Sequence, residues 1–301
     1  AASEQKQAQT DSISLPSTEE LWSLDGASRI KTASREKISL NTIWQFRPTE
    51  SAKENIVPAE SADWYFFKVP GVWPGKEGWN TSGTRQYIYT KTGQKATLAT
   101  EKLNDAWYRR LVDIPQDWKG MTIEIEAEYI QTVAQIFING KKAGDLYYPG
   151  GSLDISKQAN VGAKNEIAIL VSAKVDPELA QVFMAPGRIV SSKDIFNSRG
   201  IPGNVFLRAL PASPNPVLSD VRLDTSTSKK TISADIGFKR KAQGTYKLKA
   251  EIFEKDKLVK TFESPNFELN SQTERINFSS VWTDPKDRKS TRLNSSHGKL
   301  S

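Results

Sequence analysis

The stretch Met121-Thr122-Ile123-Glu124-Ile125-Glu126-Ala127-Glu128-Tyr129 sets Ile123, Ile125 and Ala127 against Glu124, Glu126 and Glu128 at a period of two residues. An extended strand sends successive side chains to opposite faces, so the pattern predicts one buried face and one solvated, acidic face. Val133-Ala134-Gln135-Ile136-Phe137-Ile138 follows and closes on Asn139-Gly140. A two-residue type I′ turn needs positive φ at both central positions, which Asn and Gly tolerate, so this dipeptide predicts a tight hairpin. Outward from this pair, short apolar or alternating runs broken by Gly, Pro, Asn and Asp begin at Ile38, and no 3.6-residue period is sustained anywhere. Ile38–Arg47, Tyr65–Val69, Trp107–Ile114, Asn165–Ser172 and Asn204–Leu210 are the further strands expected, and the fold class is all-β.

Pro211, Pro214 and Pro216 make 211–216 a stiff linker, and the strand pattern restarts at Val217. Val217–Asp224, Thr231–Lys239, Thr245–Glu254, Lys257–Phe262, Asn266–Asn270 and Arg275–Phe278 are expected strands, with a hairpin at Lys255-Asp256. An immunoglobulin-like sandwich has about seven strands, so the second domain reads as one short. The expected organisation is a disordered segment with a short lead-in over 1–34, a β-sandwich over 35–210, the linker, a second β-sandwich over 217–286, and a tail over 287–301. The small-residue start Ala1-Ala2-Ser3 looks like what remains after a signal peptide is removed, which predicts a periplasmic or extracellular location.

With 301 residues, 37% hydrophobic and 26% charged, the chain is long enough for two ordinary domains. No apolar run approaches the roughly 18–20 residues that cross a bilayer, so no membrane span is expected. There is no Cys, and the one His is His297 in the tail. Disulfides, thiol nucleophiles, His-based triads and His-bearing zinc sites are therefore excluded, and neither a metal nor a cofactor is expected. The formal net charge is +7, of which the tail's Arg288, Lys289, Arg292 and Lys299 against Asp287 supply +3. Elsewhere Lys and Arg are interspersed with acidic residues, a solvated surface and not a phosphate-binding stripe, so nucleic acid is not an expected partner.

Trp107-Tyr108-Arg109-Arg110, with Ile114-Pro115 and Trp118-Lys119-Gly120 after it, resembles the N-terminal sugar-binding domain of glycoside hydrolase family 2, the family of β-galactosidases, β-glucuronidases and β-mannosidases. Four more segments fit in order: Ile38–Phe46, Val69-Pro70-Gly71-Val72-Trp73, Ile136-Phe137-Ile138-Asn139-Gly140-Lys141 and Arg199-Gly200-Ile201-Pro202-Gly203-Asn204-Val205. The last is similar to the family's Gly-Ile-x-x-Asp-Val signature, with Asn204 where an Asp is usual. The resemblance implies a jelly-roll, galactose-binding-like β-sandwich followed by an incomplete immunoglobulin-like β-sandwich. It also implies carbohydrate as ligand, and as partner the family's catalytic (β/α)8 barrel, which would follow Trp282-Thr283-Asp284-Pro285-Lys286. Instead Asp287–His297 resembles adapter read-through, so 287–301 is read as non-native and the immunoglobulin-like sandwich as truncated.

In that family two Glu of the barrel, about 5–5.5 Å apart, carry the retaining mechanism, which implies no catalytic residue within this chain. Glu124, Glu126 and Glu128 are read as a solvated face, since a raised-pKa acid needs burial or a close like charge in a cleft. Trp44, Trp64, Trp107 and Trp118 are expected in the core. Trp73, Trp79, Tyr87 and Tyr89 fall within a Gly-, Lys- and Thr-rich insertion at 71–105, where they either stack on a glycan or pack on one another. Asp194, Asn197 and Arg199 precede and open the Gly-Ile motif, and the resemblance implies that this segment helps to form a substrate subsite facing the barrel. The expected substrate-binding set is Asp194, Asn197, Arg199, Trp73 and Trp79. The expected function is the non-catalytic N-terminal part of a family 2-like glycoside hydrolase; a stand-alone carbohydrate-binding module is the alternative, and a structural tandem of sandwiches a third.

Overall fold

The computed structural model describes residues 13–49, 56–60, 63–74, 87–98, 103–174, 199–226 and 228–283, with the backbone of 299–300. Two compact units divide the chain, Ala1–Ile30 with Glu36–Ala209, and Lys31–Arg35 with Leu210–Ser301. The architecture is all-β and its sheets are antiparallel.

The first unit opens on a short helix α1 (Thr18–Trp22), capped by Ser17 and Glu20 in a reciprocal capping box. Among the described residues its strands are β1 (Arg29–Lys31), β2 (Glu36–Ser39), β3 (Thr42–Thr49), β4 (Tyr65–Val69), β5 (Gly71–Val72), β6 (Asp105–Asp113), β7 (Thr122–Ala127), β8 (Val133–Ile138), β9 (Lys141–Tyr147), β10 (Gly151–Asp154), β11 (Lys164–Ser172), β12 (Gly200–Ile201) and β13 (Val205–Leu210). A five-stranded sheet runs β1-β2-β13-β7-β10 and a six-stranded sheet runs β4-β3-β6-β11-β8-β9. Their facing sides share one core that includes Ile38, Phe46, Tyr108, Ile125, Ile169 and Leu207, as a β-sandwich requires.

The six-stranded sheet is buried on its other face too, where Trp64, Trp107, Phe137, Ala168 and Leu170 form a second cluster. That explains why Ile167–Val171 reads as a continuous apolar run instead of an alternating one. The Asn139-Gly140 turn joins β8 to β9 with φ of 52° and 75°, so the expected hairpin is present.

Two expected strands are each divided. Ile38–Arg47 leaves the five-stranded sheet after Ser39 and enters the six-stranded sheet at Thr42, so one apolar run serves both layers. At this crossing the Leu40 carbonyl accepts from Trp44 Nε1 at 3.0 Å and from Arg110 Nη1 at 2.9 Å. A buried carbonyl that has left its ladder needs such a partner. Thr245–Glu254 likewise becomes β16 (Gly244–Tyr246) and β17 (Lys249–Glu254) in different sheets.

The second unit also holds β14 (Val217–Ser226), β15 (Thr231–Arg240), β18 (Lys257–Glu263), β19 (Phe267–Leu269), β20 (Arg275–Val281) and β21 (Lys299–Leu300). Its sheets are β14-β15-β20, β16-β19 and β18-β17-β21. Ile232, Ala234, Ile236, Ala250, Phe262 and Phe278 form a core much smaller than that of the first unit. Lys255 and Asp256 have φ of 47° and 65° and make the expected turn between β17 and β18. Within the tail 287–301, Leu300 and Lys299 pair with Ala250 and Glu251.

Candidate functional site

The Gly-Ile motif and the Val69–Trp73 motif meet in a two-stranded ribbon in which Gly200 pairs with Val72 and Ile201 with Gly71. The Trp73 amide donates to the Arg199 carbonyl at 2.9 Å, extending the ribbon, and the Gln131 amide donates to the Gly200 carbonyl at 3.0 Å. Gly200 has φ of +110°, and a Cβ there would lie 2.9 Å from Trp73 Nε1 and 3.0 Å from the Gly71 carbonyl oxygen. Both the conformation and the close approach require glycine.

Arg199 is 3% exposed, and its guanidinium donates from Nη1 to the Leu103 carbonyl at 2.6 Å and from Nη2 to the Pro74 carbonyl at 3.3 Å. Burial pulls its pKa below the ordinary guanidinium value. Arg199 therefore works as a strut between the chain segments at Leu103 and Pro74. Trp73 is 2% exposed, lies 6.1 Å ring to ring from Phe46, and donates from Nε1 to the Tyr108 hydroxyl at 2.5 Å. Burial pushes the Tyr108 phenol up, against the opposing effect of its hydrogen bonds with Trp73 and the Ile201 backbone. Asp194, Asn197 and Trp79 lie outside the described residues. Tyr87 and Tyr89 are half-buried; Lys95 sits over the Tyr87 ring at 4.1 Å, and Tyr89 bridges Phe66 and Lys95.

Trp107-Tyr108-Arg109-Arg110 divides between the two faces of β6. Trp107 joins the outer cluster, and Arg109 donates to Glu166 at 2.6 Å and Gln45 at 2.7 Å. Tyr108 and Arg110 point into the sandwich, where Arg110 is 1% exposed and burial pulls its guanidinium down to about 10. It donates to the carbonyls of Leu40 at 2.9 Å and Trp22 at 3.1 Å and lies 5.5 Å from the Trp44 ring centre. The motif is a packing device, and its period of two was the signal that could have said so.

The acidic ladder of β7 is matched to cations from neighbouring strands. Arg208 reaches Glu126 at 2.8 Å and Glu124 at 3.9 Å, while Lys37 reaches Glu126 at 3.3 Å and Glu128 at 3.9 Å. Glu124 is 4% exposed, which corrects the expectation of three solvated carboxylates. Among the described residues no group of three or more His, Cys, Asp or Glu could hold a metal ion.

Asn204 belongs to this network. Its Nδ2 donates to Glu128 at 2.6 Å while its Oδ1 accepts from Asn41 at 2.7 Å, and Asn41 Oδ1 in turn accepts from the Val205 amide at 3.0 Å. With a carboxylate opposite, an amide fits where an Asp would repel. Asn204→Asp is expected to lower stability by about 1 kcal/mol at pH 7, since it replaces a charge-assisted bond with two like charges. Melting of the variant beside the parent protein at pH 7 checks this.

The described fold is thus a tandem of antiparallel β-sandwiches with a braced Gly-Ile ribbon on the first and its neighbouring carboxylates held in ion pairs. No protein-family model matches the chain. Two curated Formosa agariphila proteins named as β-glucuronidases are similar to it, one 23% identical over 266 residues, 86% of this chain and 28% of that protein, the other 22% identical over 186 residues, 60% of this chain and 18% of that protein. Among solved structures, a β-D-glucuronidase of Dictyoglomus thermophilum superposes with TM-score 0.55 at 16% identity, covering 85% of this chain and 39% of that one. The Ruminococcus gnavus β-glucuronidase in complex with D-glucuronic acid gives TM-score 0.55 at 18% identity, covering 80% and 40%. The chain is similar to β-glucuronidases in sequence and in fold, as its motifs implied, and spans well under half the length of each of these relatives.

Proposed function

We propose that this chain is the non-catalytic N-terminal portion of a family 2-like glycoside hydrolase acting on β-glucuronides, periplasmic or extracellular. Its jelly roll supports substrate binding, and its immunoglobulin-like sandwich supports packing, for a (β/α)8 barrel outside residues 1–301. The observation that carries this reading is a similarity to β-glucuronidases that runs over 86% of this chain yet takes in 28% of the relative. The ion-paired carboxylates of the β7 ladder agree with it, since a retaining mechanism needs a free acid and nucleophile about 5–5.5 Å apart.

A domain lining one side of a shared cleft presents few converging polar groups, so affinity for free sugar should be millimolar or weaker. Chemical-shift titration with glucuronate, galactose and mannose checks this. Micromolar binding centred on 71–105 would instead make the chain a stand-alone carbohydrate-binding module.

A further inference from the structure

The chain holds one Asn-Gly pair, Asn139-Gly140, and one Asp-Gly pair, Asp25-Gly26. In each, the glycine amide nitrogen can attack the preceding side-chain carbonyl carbon and close a five-membered ring. Glycine favours this, because it has no side chain to shield its nitrogen and turns freely. In an unfolded chain the Asn pair reacts first, since a neutral carboxamide is a better electrophile than a carboxylate.

Folding treats the two pairs oppositely. Asn139 Nδ2 donates to the Gln158 carbonyl and to Asn165 Oδ1, both at 2.9 Å, and its Oδ1 accepts from the Glu166 amide at 2.9 Å. Its carboxamide cannot turn toward Gly140 without breaking all three bonds. Asp25 and Gly26 are exposed in the turn between α1 and β1, closed by the Ala27 amide on the Leu24 carbonyl at 3.2 Å. Gly26 takes the third position of that turn at φ +72°, with nothing within 4 Å of an added Cβ. Among the described residues the Gly26 amide donates no hydrogen bond, and the Asp25 carboxylate makes neither a hydrogen bond nor an ion pair.

We propose that Asp25 is a site of spontaneous covalent modification, isomerisation to an isoaspartyl linkage, and that the folded protein spares Asn139. The Gly26 nitrogen bonds to Asp25 Cγ, and the carboxyl hydroxyl departs with the amide proton as one water. A second water then opens the succinimide. Attack at the main-chain carbonyl leaves the backbone running through Cβ and Cγ, and attack at the other carbonyl restores Asp25. The isoaspartyl form adds one methylene to the main chain inside the Leu24–Ala27 turn. That turn also carries the Leu24 carbonyl that accepts from Arg29 Nη2 at 2.9 Å.

The test ages the chain 1–301 at neutral pH in water enriched in heavy oxygen, once folded and once unfolded in urea, and follows both sites by peptide mass spectrometry. Label at Asp25 reports ring opening, and an isoaspartyl-specific carboxyl methyltransferase counts the isomer formed. Asp25 should take up label in the folded protein within about threefold of its rate in urea, because the exposed turn imposes no opening step. Asn139 should react at least about tenfold more slowly folded than in urea, since its hydrogen bonds must break first. Asp25→Glu, an exposed change that keeps the charge but needs a larger ring, should remove the label and the methyl acceptor at position 25. Label at Asn139 ahead of Asp25 in the folded protein, slowing of Asp25 by more than about tenfold on folding, or methyl acceptance that persists at position 25 in Asp25→Glu would each overturn the proposal.

Discussion

Replacing Arg110 by Ala should destabilise the first unit by about 3–5 kcal/mol, measured as a lower urea midpoint. The guanidinium is the buried partner of two carbonyls, Leu40 at the crossing from β2 to β3 and Trp22 at the end of α1. Truncation orphans both acceptors and leaves a cavity beside the Trp44 ring. Part of this loss is offset, because the native protein no longer desolvates a charge whose pKa burial draws down to about 10. Arg110→Met keeps the stem and removes only the donors, so it should recover a third to a half of the loss, roughly the cavity contribution. Because the Trp22 carbonyl is one of the acceptors, proteolysis near 18–22 should accelerate in both variants.

Gly200→Ala should cost about 2–4 kcal/mol through two effects that a control separates. An L-residue at φ +110° is strained, and its Cβ would press on the Trp73 indole and the Gly71 carbonyl, both fixed in the core. Gly26 has φ +72° with nothing within 4 Å of an added Cβ, so Gly26→Ala carries the conformational cost alone, about 1 kcal/mol. Equal urea midpoints for the two variants would show that the ribbon yields, and that the Gly-Ile motif is not held by close packing.

The period-two stretches and the Asn-Gly turn carried the all-β class, because alternation and positive φ are local properties of the chain. Sheet membership was not local. The division of Ile38–Arg47 at Leu40 depends on Arg110, seventy positions away in sequence, supplying a donor to a carbonyl outside either ladder. Burial of Glu124 likewise depends on Arg208 from β13. β9 went unread because Lys141-Lys142-Ala143-Gly144-Asp145 lies on a largely solvated edge with no apolar face to alternate. At the site, motif position located the Gly-Ile ribbon, but only packing shows that Trp73 and Arg199 brace it from inside.

Incubating residues 1–301 with aryl β-glucuronide, β-galactoside and β-mannoside and following release of the chromophore tests most directly whether this chain lacks catalysis of its own. Both carboxylates of a retaining mechanism are assigned to a barrel outside these residues, so release should not exceed the enzyme-free blank for any of the three. Release above the blank that a single Glu or Asp substitution abolishes would place the chemistry inside the two sandwiches and contradict the account.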